Sequence, residues 1–169
     1  MKNNVRQMTL AAMMAALQTV LLYLGSVLPS GRLAMAALAG VLGAVIVIEC
    51  GYPHAAMAWV VASTLGMLLF PRKGSALFFA AFFGWYPIGK CFAEGFISRV
   101  KEWVLKLLGF NVVLVFFWGL YSRGFLTGVT LPRIWIGFLL VAAEVAFVVF
   151  DIAFSGLIAF YEQRLRRKR

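Results

Sequence analysis

Glu144 and Asp151 stand seven residues apart inside the apolar run 134–161, IWIGFLLVAAEVAFVVFDIAFSGLIAFY. The run exceeds the ~20 residues that a bilayer-crossing helix needs. An ionisable group at bilayer depth costs about 2.5–3.5 kcal/mol on insertion scales, so it faces a protein interior or a wet cavity. Residues i and i+7 share a helical face. Both carboxylates therefore look the same way and call for a cation, a proton or a ligand. Lys90 is the natural counter-charge. At about 1.5 Å per residue it lies ~21 Å below the start of its span, against ~25 Å for Asp151 and ~15 Å for Glu144. Such a pair either fixes helix register or handles a ligand or proton.

Around Lys90 the sequence reads Gly84-Trp85-Tyr86-Pro87-Ile88-Gly89-Lys90. Proline frees a backbone carbonyl one turn back, and broken helices mark binding sites in many transporters. A plain packing kink is the other reading. Trp85 and Tyr86 sit deep enough to stack on a flat ligand. Trp118, Tyr121, Trp135 and Tyr23 fall near span ends, where an interfacial belt is expected. Asn111 is a lone amide in an apolar segment, suited to an interhelical hydrogen bond.

These residues need elements to hold them. The 169-residue chain is 63% hydrophobic and 13% charged, far from the ~25% charged of a soluble domain. The expectation is an all-α integral membrane protein, a single domain over 1–169. Six spans are read at 9–28, 33–48, 53–70, 75–92, 103–121 and 134–160. The first apolar stretch is too long for a signal peptide and reads as a retained helix. Lys2, Arg6, Arg99, Lys101 and the five basic residues of the tail RLRRKR outnumber Arg32, Arg72, Lys73, Arg123 and Arg133 on the other side. The positive-inside rule then puts both termini in the cytoplasm. The stretch 98–106 is amphipathic, with Glu102 four residues before Lys106, the favoured order for a helical ion pair.

Catalytic motifs are missing. There is one histidine, His54, and there is no HExxH, CxxC, GxSxG or Walker loop. No enzyme activity, metal site or cofactor is expected. Cys50 and Cys91 read as small hydrophobes. The basic tail suits anionic lipid rather than nucleic acid. Active uptake would need ATPases on another chain. A place for such a partner is the first span, where Ala11/Ala15 and Ala12/Ala16 are small-xxx-small pairs, which let membrane helices approach closely. Ala36/Gly40 and Gly40/Ala44 repeat the pattern in the second span.

QMTLAAMMAAL, followed by a Pro/Gly break, LAGVLGAVIVIECGYPHAAMAWVVASTLGMLLFP and LFFAAFFGWYPIGK resemble the substrate-binding S component of energy-coupling factor (ECF) transporters over nearly the whole chain. That resemblance implies a vitamin or micronutrient importer subunit of a bacterial cell membrane. It assigns Ala11, Ala12, Ala15 and Ala16 to docking on a transmembrane coupling subunit driven by ATPases. The small-molecule ligand would be held by Trp85, Tyr86, Trp118, Tyr121 and Glu144, with Lys90 and Asp151 deeper. The loop at 29–32 is shorter than the lid of several family members. The alternative is a morphogenesis scaffold resembling MreD, which needs interaction faces but no ligand cavity. A third reading, a carboxylate-dependent secondary carrier, uses Glu144 and Asp151.

Overall fold

The computed structural model describes residues 2–28, 31–96, 99–123 and 136–164. Every element in them is helical: α1 Lys2–Val27, α2 Arg32–Cys50, α3 Tyr52–Leu69, α4 Gly74–Phe78, a π-helical turn Phe79–Phe83, α5 Tyr86–Phe96, α6 Arg99–Ser122 and α7 Ile136–Arg164. Among the described residues five helices are long and apolar enough to cross a membrane: α1, α2, α3, α6 and α7. The second expected span, short as read from its apolar residues, is lengthened by its flanks to 19 residues. The expected fourth span is not one rod but α4, the π turn and α5 in succession. The basic tail beyond Arg164, the loop 124–135 with Arg133 and Trp135, and the side chains of Glu94 and Tyr121 lie outside the described residues.

The chain divides into two compact units, Met1–Ile97 and Ser98–Arg169. In the first, small residues bring the helices together. One core cluster joins Ala11 and Ala15 of α1 to Ile46, Val47 and Cys50 of α2 and to Ala55 and Ala58 of α3. A second joins Leu22, Ala36, Ala39 and Ala62 to Phe70, Ala76 and Phe79. Polar side chains stitch the same helices. Gln18 Nε2 donates to the Ala39 carbonyl at 2.9 Å, and Ser75 Oγ to the Leu22 carbonyl at 2.8 Å. The α2–α3 turn depends on Gly51, whose φ of 86° is open to glycine at little cost. Its N–H closes α2 on the Val47 carbonyl at 3.0 Å, and Pro53 then sits in the first turn of α3, where its missing N–H is harmless. The Cys50 thiol, buried in the first cluster, donates to the Gln7 carbonyl of α1 at 3.3 Å.

In the second unit α6 and α7 run antiparallel, since earlier residues of α6 meet later residues of α7. Phe110 stacks on Phe147 with ring centroids 4.5 Å apart. Most of the apolar surface of this pair faces outward: Val115 is 71% exposed and Phe138 65%.

Candidate functional site

Two arrangements hold the sequence-predicted residues, one in each unit. The first is the break in the fourth apolar segment. The Gly84 N–H reaches five residues back to the Phe79 carbonyl at 2.8 Å, the bond of a π turn. Pro87 brings no N–H to the Phe83 carbonyl one turn before it. Loosened carbonyls inside a bundle need partners, and this sequence supplies them. Trp59 Nε1 of α3 donates to the Ala80 carbonyl at 3.3 Å, and Trp85 Nε1 to the Ala81 carbonyl at 2.7 Å. The Phe83 carbonyl lies against Gly40 of α2, 2.7 Å from where a Cβ would stand. Gly84 is equally tight: a Cβ there would meet Trp59 Cδ1 at 2.1 Å. Bare glycines thus let α2 and α3 close over the kink.

This packing accounts for the two aromatics expected to stack on a ligand. Trp85 lies along its own helix, its ring against Gly89 and its N–H on Ala81. Tyr86 is buried and tilts against Phe82 at 4.9 Å between centroids. Lys90 is buried in the same unit, at 2% exposure.

The second arrangement is a polar seam between α6 and α7. Asp151 Oδ2 accepts from Lys106 Nζ at 3.2 Å, and both residues are buried. Lys106 also pairs with Glu102 one turn earlier on α6 and stands 5.7 Å above the Trp103 ring. One lysine thus serves two carboxylates with an indole ring beside it. A rung away, Asn111 Nδ2 donates to Glu144 Oε1 at 2.6 Å and to the Leu107 carbonyl at 3.0 Å. Glu144 Oε2 is buried without a hydrogen bond. Ser155 Oγ, one turn past Asp151, donates to the Asp151 carbonyl at 2.8 Å.

The expectation that Asp151 and Glu144 share a face holds, since both meet α6. So does the Glu102–Lys106 pair. The partner that sequence reading overlooked is Lys106, which it assigned to Glu102 alone. The signal was present: Lys106 falls inside the apolar segment that starts at Trp103, where a lysine needs acceptors for all three of its donors. Asn111 makes the interhelical bond expected of it. Trp118 is 47% exposed on α6. His54 Nδ1 sits 2.8 Å from the Cys50 carbonyl, an end cap for α2. Among the described residues no three His, Cys, Asp or Glu side chains gather as a metal site would require.

The docking alanines divide between two faces of α1. Ala11 and Ala15 are buried in the core, whereas Ala12 and Ala16 are exposed. On another face of α1 an open groove of about 400 Å³ is lined by Arg6, Thr9, Leu10, Met13 and Met14. The chain matches no protein-family model, no curated protein and no solved structure.

Proposed function

We propose that this chain is a multi-pass protein of a bacterial cell membrane, with six crossings and both termini in the cytoplasm. In this reading it is the substrate-capture subunit of a vitamin or micronutrient importer whose ATPases reside on other chains. The membrane reading is supported by an inside-out distribution of side chains. Gln18, Lys90, Lys106 and Asp151 are buried while Leu68, Leu69 and Val115 stand exposed, as suits a bundle whose solvent is lipid. The interrupted segment Gly74–Phe96 supplies the sixth crossing, since 23 residues at about 1.5 Å each exceed the ~30 Å hydrocarbon core.

One observation carries the capture-subunit reading: α1 packs with Ala11 and Ala15 and leaves Ala12 and Ala16 bare. A helix locked into the bundle on one face and presenting a small-residue edge on another suits close approach by a partner's membrane helix. That is the role which the S-component resemblance assigns to this helix.

A scaffold function, in the manner of MreD, is the second reading. It is favoured by the engagement of Trp85 and Tyr86 in packing, because a scaffold needs no ligand cavity. Native mass spectrometry of the gently solubilised protein from its own host separates the two. Coupling and ATPase subunits, or a bound small molecule of definable mass, are the expected companions. Recovery with cell-wall or cytoskeletal proteins, and no small molecule, would replace the importer by the scaffold.

A further inference from the structure

The groove on α1 has a composition of its own. Its walls are the side chains of Leu10, Met13 and Met14, with Thr9 and, at one end, Arg6. The Thr9 hydroxyl is engaged by the Val5 carbonyl at 2.9 Å, so it adds little free polarity. Arg6 is exposed, and among the described residues no carboxylate pairs with it. The groove follows α1 for about 12 Å, the eight rises of ~1.5 Å from Arg6 to Met14. It stands about 100° around the helix from the Ala12/Ala16 edge, at ~100° per residue. The two faces are separate surfaces. Leu10 and Met14 also pack on the core beside Ile88 and Cys91, which anchors the floor, and methionine adapts its shape to a flexible occupant.

An apolar trough with one unpaired guanidinium at its mouth is complementary to an acyl chain carrying an anionic head. We propose that this groove is a binding site for an anionic phospholipid. Arg6 holds the phosphate through its fork of N–H donors, and Leu10, Met13 and Met14 hold the first part of one chain. The proposal rests on the reading that α1 crosses the membrane with its N-terminus cytoplasmic, which sets Arg6 at the more anionic leaflet.

The test uses the full chain reconstituted into nanodiscs of equimolar phosphatidylglycerol and phosphatidylcholine, with retained lipid read by native mass spectrometry. The wild type is expected to keep phosphatidylglycerol about fivefold over phosphatidylcholine at one tightly held position, the worth of a single basic residue near a membrane surface. Arg6→Gln removes that preference by taking away the charge, and Met13→Trp removes the lipid by filling the trough. Both positions are exposed, so neither variant disturbs the core. Comparing variants of the full chain subtracts whatever its basic tail retains. Equal retention of the two lipids by the wild type, or a preference untouched by Arg6→Gln, would overturn the proposal. So would Met13→Trp leaving the lipid in place. Failure to reconstitute at all would strike at the membrane reading instead.

Discussion

The two units solve helix association in opposite ways. In the first, alanines at the α1, α2 and α3 contacts and bare backbone at Gly40 and Gly84 bring the helices close enough for the Ala80 carbonyl to be reached by the Trp59 indole. In the second, α6 and α7 meet through Lys106, Asp151, Asn111 and Glu144 with one stacked phenylalanine pair between the rungs. Close packing of small residues is a distributed attraction, and losing one contact forfeits little unless something larger is forced in. A charge seam concentrates the same task in a few groups, and deleting one leaves its buried partner short of a counter-charge. The comparison predicts which substitutions are severe: loss of a charge in the second unit, insertions in the first.

The largest effect is expected at Asp151. Asp151→Asn takes one carboxylate from the buried Lys106, at a cost of about 3 kcal/mol, the low end for a broken buried pair. Thermal unfolding in detergent measures it. Adding Lys106→Met should return part of the loss, since no uncompensated cation remains in the seam. A double variant no more stable than Asp151→Asn would show that Lys106 is not the group left stranded.

Next in size is an insertion. Gly40→Val pushes a side chain against the Phe83 carbonyl, where even a Cβ would stand at 2.7 Å; about 1–3 kcal/mol is the usual cost of overpacking. An unchanged unfolding temperature would mean that α2 does not bear on the kink. Trp59→Phe keeps an aromatic over Gly84 and removes only the N–H donated to Ala80, for about 1 kcal/mol. The smallest change is Asn111→Ala, about 0.6 kcal/mol, the average of an interhelical hydrogen bond in a membrane. A loss larger than that of Asp151→Asn would reverse the ranking of the rungs.

Much of this was written in residue types. Apolar runs bounded by Gly31, Gly51 and Pro71 mark the helix ends, because those residues set or forbid particular backbone angles. Pro87 with Gly84 and Gly89 announces an interruption of the fourth span. Other features depend on which helices become neighbours, and spacing along one helix is silent on that. Glu102 four residues before Lys106 is a local pattern and was legible, whereas Lys106 against Asp151 joins positions 45 apart. Depth along each span points from Asp151 to Lys90 and is silent on Lys106, whose partner along its own helix, Glu102, is already in view. Trp59 showed no sign of its role, since only the fold places its N–H on a carbonyl of the π turn. The division of the alanines is similar: Ala11, Ala12, Ala15 and Ala16 form two equivalent pairs in sequence, and packing alone makes one core and the other surface.

That division supports the most direct test of the capture-subunit account. Tagged Ala12→Leu/Ala16→Leu protein is purified from its host membranes beside the wild type and beside Ala11→Leu/Ala15→Leu, with co-purified subunits and unfolding temperature read for each. The account predicts that the Ala12/Ala16 variant stays folded and loses its coupling and ATPase partners, while the Ala11/Ala15 variant loses its fold. An Ala12/Ala16 variant that keeps those partners at wild-type levels would contradict it.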